Sequence, residues 1–519
     1  MKLRFFSCAC ALFVCCLSAS AATLRIGLAA DITSLDPHLL AAQPNLVAAR
    51  HMFESLIDVD ERTQLIPSLA VSWRPVDAVT WEFKLRRGVT FHDGTPLTID
   101  DVIYSLQRPL ALNSPGGYAA YVRSIKSLQA ANADTLRVVT HGPYGALPED
   151  INSILIVSRR AAEHASSADF DAGRALVGTG PYRYANYARG DRLKLARYEG
   201  YWGDKPAWSE VELRTLVTDP VRTAALVSGQ VDAIENVPSA DYARLKAQGR
   251  FHFSQAVSWR TLFIHLDQYR AQPPGVGDAR GAPLARNPYM DVRVRRALSL
   301  AIDRPTLTRV VLEGLAIPAG NIVSPGIFGH DPALEPDRYD PVEARRLLAE
   351  AGYAAGFAAT LSGPNNRYMN DEQVLQAVAQ MLARIGIRPA VQVAPLNVFL
   401  ARTRRQETSA ALLGWGSFAA DLALRSLLAT PQPEKGYGAW NWARYSNPSL
   451  DALVTQSLGT VDRARREAMA RRASRVATGD AAIIPLYHQI ATWAMRPGLT
   501  HRARTDEFTL AQHFKPAPP

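Results

Sequence analysis

Cysteine is almost missing from this chain, and where it does occur is informative. The four cysteines, Cys8, Cys10, Cys15 and Cys16, all fall within the first 21 of 519 residues. Everything after them therefore has no disulfide, no thiolate nucleophile and no cysteine ligand for a metal. Long apolar runs are missing too. Phe5 to Leu17 is thirteen residues, interrupted only by Ser7, against the ~20 that a membrane-spanning helix needs, so a membrane-embedded protein is not expected. The usual catalytic spacings are absent: there is no HExxH, paired CxxC, GxSxG or GxxxxGK[ST], and Gly275, Gly277 and Gly281 miss the dinucleotide spacing. His38, His51, His92, His141 and His164 stand singly, which is the pattern of surface or satisfied core residues rather than of ligands. No metal site and no cofactor are expected, and the chain does not read as an enzyme.

The N-terminus reads as a targeting signal. Lys2 and Arg4 precede the apolar stretch, and Ala19-Ser20-Ala21 supplies the small residues of a cleavage site. Residues 1–21 are thus expected to be a cleaved signal peptide, with no lipobox cysteine at its end. A disulfide-free exported chain of this size must be held by its core, and roughly three domains or lobes is the expectation from its length.

The formal charge is +10, and beyond residue 21 the count is 56 basic against 48 acidic residues. Lysine is scarce, with 8 against 50 arginines, but the arginines are spread along the chain beside acids. Short clusters such as Arg293-Val294-Arg295-Arg296 and Arg402-Thr403-Arg404-Arg405 read as solvated helix faces, so nucleic acid is not an expected partner.

Strand and helix patterns alternate throughout, which indicates an α/β protein. Trp81, Phe83 and Leu85 alternate on one face of a strand from Thr80 to Leu85, and Val89 and Phe91 continue beyond the Arg86-Arg87-Gly88 turn. Thr98 and Asp101 mark a helix start, and Tyr182 to Arg197 reads as a hairpin turning at Gly190-Asp191. Val294, Ala297, Leu298, Ala301 and Ile302 recur as one apolar helix face. Asp340-Pro341-Val342-Glu343 carries a capping acid, a first-position proline and a third-position glutamate, and Gly352 stops that helix. Asn370 to Ile385 reads as another helix, with Gly386 as its stop. Gly178-Thr179-Gly180-Pro181 and the stretch Asp267 to Pro288 read as boundaries, the second as an exposed connection. Ile483 to Leu486 reads as a buried strand.

The longest specific pattern is Thr80-Trp-Glu-Phe-Lys-Leu-Arg-Arg-Gly-Val-Thr-Phe-His-Asp-Gly-Thr-Pro-Leu-Thr-Ile-Asp-Asp-Val102. It resembles the signature of family 5 extracellular solute-binding proteins, the dipeptide, oligopeptide and nickel-type receptors. Ser34-Leu-Asp-Pro-His38, Gly178-Thr-Gly-Pro-Tyr182, Gly200-Tyr-Trp-Gly203, the Asp291-to-Asp303 helix and Tyr445-Ser-Asn-Pro-Ser-Leu-Asp451 resemble further landmarks in the family's order, from about Leu24 to Arg496. The resemblance implies a two-lobed periplasmic-binding-protein fold of type II with an extra subdomain and a ligand cleft between lobes. Residues 22–60, 181–265 and 485–519 would form a discontinuous lobe I, 61–180 the extra subdomain, and 266–484 lobe II. The implied function is the periplasmic receptor of an ABC importer, capturing short peptides and handing them to the membrane permease with its ATPase subunits, as a monomer. Nickel chelate, haem, glutathione, opine or sugar stay open as ligands of the same role. A secreted hydrolase or a chaperone-like binder are the readings from other classes.

The resemblance also points to site residues. Asp421, downstream of Gly414-Trp415, stands where the family places the acid for a peptide's α-amine; capping of the following helix is the other reading of that residue. Arg367, in Gly363-Pro-Asn-Asn-Arg-Tyr-Met-Asn-Asp371, stands where the family places a cleft arginine, suited to a bidentate grip on a carboxylate. Asn366 and Tyr368 are its expected neighbours, and Trp415, Trp440 and Trp442 are expected to line the pocket or to sit in the core.

Overall fold

A computed structural model describes residues 23–112, 114, 116–278 and 280–518. The signal peptide expected over residues 1–21 lies outside the described residues.

Two long antiparallel strands, His252–Leu266 and Ile484–Met495, organise the molecule. At one end they carry Ala491, Trp493 and Met495 into a core with Leu24, Ile26, Leu193 and Leu213. At the other end Leu262, Ile264, Ile484 and Leu486 join a separate core with Val374, Val378, Leu382 and Leu412. These cores define two lobes, here I and II, linked by the shared strands. One 12-stranded sheet runs through both. From the lobe II side its order is Val276–Gly277, Ala358–Pro364, Ala410–Trp415, His252–Leu266, Ile484–Met495, Ala233–Glu235, Thr23–Leu28, Glu210–Thr215, Arg192–Arg197 and Tyr182–Ala188, with Arg388–Ala394 and Ala316–Pro318 pairing off this path.

Each lobe contains parallel pairs. Thr23–Leu28 runs parallel to both Glu210–Thr215 and Ala233–Glu235 in lobe I. Ala358–Pro364 runs parallel to Arg388–Ala394 and Ala410–Trp415 in lobe II. Ligand crevices in such sheets open at the carboxyl ends of the strands, which here lead to Ala29, Glu235, the 365–370 loop and Trp415.

A separate four-stranded antiparallel sheet, in the order Ala70–Pro75, Thr80–Leu85, Thr135–Thr140 and Ile125–Asn132, has its own core of Trp81, Phe83, Val102, Leu106, Leu136 and Val138. The Trp81, Phe83 and Leu85 side chains are its buried face, as their alternation requires. The helix Ile99–Leu112 starts where Asp101 accepts hydrogen bonds from the backbone and hydroxyl of Thr98 at 3.0 and 2.6 Å. Pro341–Glu350 is capped by Asp340, which accepts from the Glu343 amide at 3.0 Å. The boundary glycines serve close packing: a Cβ on Gly178 would sit 2.0 Å from the carbonyl oxygen of Met52.

The Asp267-to-Pro288 stretch is a largely exposed connection, anchored by the buried Asn287 side-chain amide, which donates to the carbonyls of Asp267 and Arg270 at 2.8 Å each. Asn370 takes no part in side-chain capping of Asp371–Ala383; it is left-handed, φ 51°. Arginine is also an interior residue here: Arg50, Arg108, Arg222, Arg260, Arg295, Arg304, Arg425, Arg466 and Arg504 are all buried. Arg295, read as part of a solvated face, instead donates to Asp480 and to the carbonyls of Tyr289 and Ala481. A planar five-donor group suits such sites better than an ammonium does.

The lobes also touch away from the shared strands. The segment Tyr144 to Asn152, which leaves the four-stranded sheet, docks on lobe II helices. Asp150 accepts from Arg425 at 3.3 and 3.4 Å, Glu149 accepts from Arg466 at 2.8 Å, and the Gly145 amide donates to the Leu458 carbonyl at 2.6 Å. On the other flank, the Asn370 amide donates to Ser239 Oγ of lobe I at 2.9 Å.

Candidate ligand cleft

The cleft is built first by a break in strand register. Val257 pairs with Ile490 and Thr261 with His488, so Ser258, Trp259 and Arg260 together oppose the single residue Gln489. A bulge of this kind bends the strand and redirects its side chains. All three residues turn to the C-terminal segment. Ser258 Oγ donates to Glu507 Oε1 at 2.5 Å, the Trp259 amide donates to the Thr505 carbonyl at 2.8 Å, and Arg260 Nη2 donates to Glu507 Oε2 at 2.7 Å. Burial alone would push the Glu507 carboxyl up, but the Arg260 guanidinium outweighs it and holds the carboxyl below its usual value. The Trp259 ring sits between Phe418 of lobe II, 4.8 Å away, and Phe508, 5.8 Å away.

The lobe II wall is the loop between Pro364 and the helix Asp371–Ala383. Asp371 pins it, accepting from the amides of Arg367 and Tyr368 at 2.9 and 3.1 Å. Tyr368 Oη accepts from the Gly414 amide at 2.9 Å, tying the loop to the end of Ala410–Trp415. Gly414 is required there, since a Cβ would lie 2.7 Å from the Tyr368 ring. With its backbone fixed, the half-buried Arg367 side chain makes no hydrogen bond or ion pair with any described residue; its guanidinium lies 5.6 Å from the centre of the Tyr368 ring. Burial and the nearby Arg260 guanidinium hold its pKa below the usual value, while Glu507 and Glu235 of lobe I act in the opposite direction. The loop that carries Arg367 borders lobe I, where the Asn370 side-chain amide donates to Ser239 Oγ at 2.9 Å.

Lobe I presents Glu235 at the carboxyl end of Ala233–Glu235. Its Oε1 accepts from the Ala29 amide at 2.9 Å and its Oε2 from the Thr509 hydroxyl. Burial, with repulsion from Glu507, holds this carboxyl above its usual value.

The aromatic residues cluster as a wall. The Trp415 and Trp440 ring centres are 5.1 Å apart and those of Trp440 and Trp442 4.8 Å apart, with the Arg404 guanidinium 5.8 and 5.9 Å from the last two. Trp415, Trp440 and Trp442 are all partly buried against the second lobe II core. Asn366 is exposed and accepts from the Leu396 amide at 2.9 Å, holding the start of the helix Leu396–Arg404.

Asp421 is a correction. It has no exposed surface, and it binds Arg466 through two hydrogen bonds of 2.8 and 3.1 Å, with Ser457 donating at 2.9 Å. These partners belong to lobe II itself and occupy both carboxylate oxygens. Nor is it the helix cap: Ala419 holds that position, and Asp421 lies in the first turn. Arg367 and Tyr368 are brought together with Trp415 through Gly414, and Asp421 is not. Trp259, Arg260, Glu507 and Glu235 escaped the sequence reading. Only the register break and a left-handed Glu507, φ 63°, bring the first three together, and neither has a local sequence signal.

Two α/β lobes on a shared sheet, with aromatic rings and a guanidinium that has no ion pair among the described residues grouped at the carboxyl ends of the lobe II strands, have the form of a ligand-capturing protein. Residues 64–427 match the family model of bacterial extracellular solute-binding proteins, family 5. The chain belongs to that family. It is 28% identical over 487 residues to the glutathione-binding protein GsiB of Shigella dysenteriae, covering 91% of this chain and 90% of that protein. Its fold is that of the periplasmic binding protein DppA from Helicobacter pylori in complex with the peptide STSA, with a TM-score of 0.80, 22% identity and coverage of 95% and 98%. NikZ from Campylobacter jejuni in complex with Ni(L-His) shares it too, with a TM-score of 0.78, 19% identity and coverage of 95% and 99%. Among the described residues no helix is long and apolar enough to cross a membrane.

Proposed function

We propose that this protein is the periplasmic, monomeric receptor of an ABC importer, exported through a cleaved signal peptide, and that it captures short peptides between its lobes. Residues 22–60, 181–265 and 485–519 act as one body with 61–180 attached, and residues 266–484 close on them, by the hinge motion general to such proteins. The closed form is what the permease and its ATPase subunits receive. The observation that carries the reading is Arg367, whose backbone is pinned by Asp371 and whose guanidinium has no hydrogen bond or ion pair among the described residues. A half-buried cation without a counter-ion is costly, and a ligand carboxylate supplies one through two parallel hydrogen bonds. Tyr368 and Trp415 give the ligand apolar area, Trp440 and Trp442 extend that wall, and Asn366 borders it.

Glutathione is a second ligand within this reading, favoured by the likeness to GsiB over nine-tenths of both chains. As a γ-linked tripeptide it carries the same carboxylate and ammonium groups. Titration of the ligand-stripped protein with a tripeptide library and with glutathione tests both. Arg367→Ala is expected to weaken the bound species by about 10–100-fold, the worth of a charge-assisted hydrogen bond. Arg367→Lys restores only part of it, because the bidentate geometry is lost. Undiminished binding by Arg367→Ala removes this residue from the site, and wild-type protein that takes neither peptides nor glutathione removes the peptide assignment.

A further inference from the structure

Asp421 is spent inside lobe II, so the acid that would receive a peptide's ammonium must be sought elsewhere in the cleft. Two carboxylates of lobe I border the loop that carries Arg367: Asn370, three residues on, donates through its side chain to Ser239, four residues beyond Glu235, at 2.9 Å, and Thr509, which donates to Glu235, lies two residues beyond Glu507. They differ in how they are compensated. Glu507 is neutralised: Arg260 donates to both of its oxygens, at 3.2 and 2.7 Å, and Ser258 adds a third donor. Glu235 has only neutral donors, the Ala29 amide and the Thr509 hydroxyl. The nearest guanidinium, that of Arg222, is used up on other groups. It donates to the backbone carbonyls of Leu216, Glu235 and Asn236 at 3.1 Å or less and to Asp219 at 2.5 Å. No ion pair reaches Glu235 among the described residues.

The two lobes therefore face each other with one uncompensated charge each, Arg367 on lobe II and Glu235 on lobe I. Each sits at the carboxyl end of a parallel strand set, on a backbone fixed by its own hydrogen bonds. A zwitterion placed between them gives each a contact partner, and it does so only when the lobes are together, which couples recognition of both ends of the ligand to closure.

We propose that Glu235 is the residue that receives the ligand's ammonium group, opposite Arg367 on its carboxylate, and that this pair selects zwitterionic ligands. The assignment rests on the peptide reading above and deepens it. The Thr509 hydroxyl and the Ala29 amide are positioning groups, each holding one of the carboxylate oxygens.

The test uses the full mature chain, stripped of ligand, and a tripeptide library presented unmodified and N-acetylated, with retained peptides counted by native mass spectrometry. Wild-type protein is expected to retain unmodified peptides at least ten times better than acetylated ones, and Glu235→Gln is expected to bring that ratio close to one. Glu235→Asp, which keeps the charge, is expected to restore part of the preference and shows that loss in Glu235→Gln is not a folding defect; a thermal melt of each variant accompanies the counts. If Glu235→Gln keeps the full preference, or if wild-type protein holds both libraries equally, the Glu235 assignment is overturned while peptide capture stands. If wild-type protein retains neither library, the peptide reading falls and this assignment with it.

Discussion

Replacing Asp421 with alanine separates a ligand contact from a structural ion pair. Its carboxylate and the Arg466 guanidinium are 0% and 2% exposed, and two hydrogen bonds of 2.8 and 3.1 Å join them. Burial disfavours the Arg466 cation, but Asp421 and Glu149 outweigh it and raise its pKa. Removing one partner of a buried pair costs about 3–5 kcal/mol, because the other is left uncompensated. Glu149 stays on Arg466 at 2.8 Å, which places Asp421→Ala near the lower end, about 3 kcal/mol. At roughly 2–4 °C per kcal/mol for a unit of this size, the melting temperature should fall by about 6–12 °C. Ligand affinity of the folded variant, read by titration below its melting range, should stay within about threefold of wild type, under 1 kcal/mol. The triple variant Asp421→Leu, Arg466→Met, Glu149→Gln should recover most of the loss, as apolar replacement of a whole buried ion cluster generally does. A variant that melts like wild type while losing ligand tenfold or more would refute this reasoning and return Asp421 to the cleft.

Two further outcomes follow from other parts of the molecule. Gly145 packs where a Cβ would lie 1.9 Å from the Thr460 carbonyl oxygen, so Gly145→Val should prevent the Tyr144-to-Asn152 segment from docking on lobe II. Small-angle scattering should then show a larger radius of gyration, and ligand affinity should drop by roughly 5–30-fold for about 1–2 kcal/mol of lost closure energy; unchanged scattering and affinity would mean that this contact does not help hold the lobes together. His51 is fully buried, with Nδ1 bonded to the Val47 carbonyl at 2.8 Å and Nε2 accepting from the Ala511 amide at 3.0 Å, and burial holds its pKa at about 4. The unfolded chain binds this proton near pH 6.5 and the folded chain only near pH 4. Stability from this group is therefore full above pH 6.5 and is lost as pH falls towards 4, by about 3 kcal/mol. Denaturant melts across that window should show a shallower pH dependence for His51→Asn by that amount; parallel curves would show that His51 is not the group responsible.

The periodic elements were legible in the sequence. The strand Thr80–Leu85, the hairpin Tyr182–Ala188 with Arg192–Arg197, and the Asp340-capped helix all lie where alternation and capping chemistry place them. The site was legible only in part. A motif marks the loop of Arg367 and Tyr368, and the structure packs that loop against the end of Ala410–Trp415. Asp421 misled because position beside Gly414-Trp415 says nothing of which way a first-turn side chain points, and Arg466, 45 residues away, claims it. Trp259, Arg260 and Glu507 meet through a register break and a segment 247 residues further on, a pairing that no local pattern encodes. Glu235 gives no sign in sequence that it has no ion pair among the described residues, because pairing is a property of the folded chain. The arginine excess was legible as a number but not as a location, since nine of the arginines prove to be interior.

The central claim is that this protein captures short peptides between its lobes. The most direct measurement is the mass of the mature protein, purified without unfolding, under native and then denaturing spray conditions. A set of added masses that leaves on denaturation and fragments as short peptides or glutathione is the predicted result. Protein that carries a metal complex or a non-peptide molecule, or that stays empty when peptides and glutathione are supplied, would contradict it.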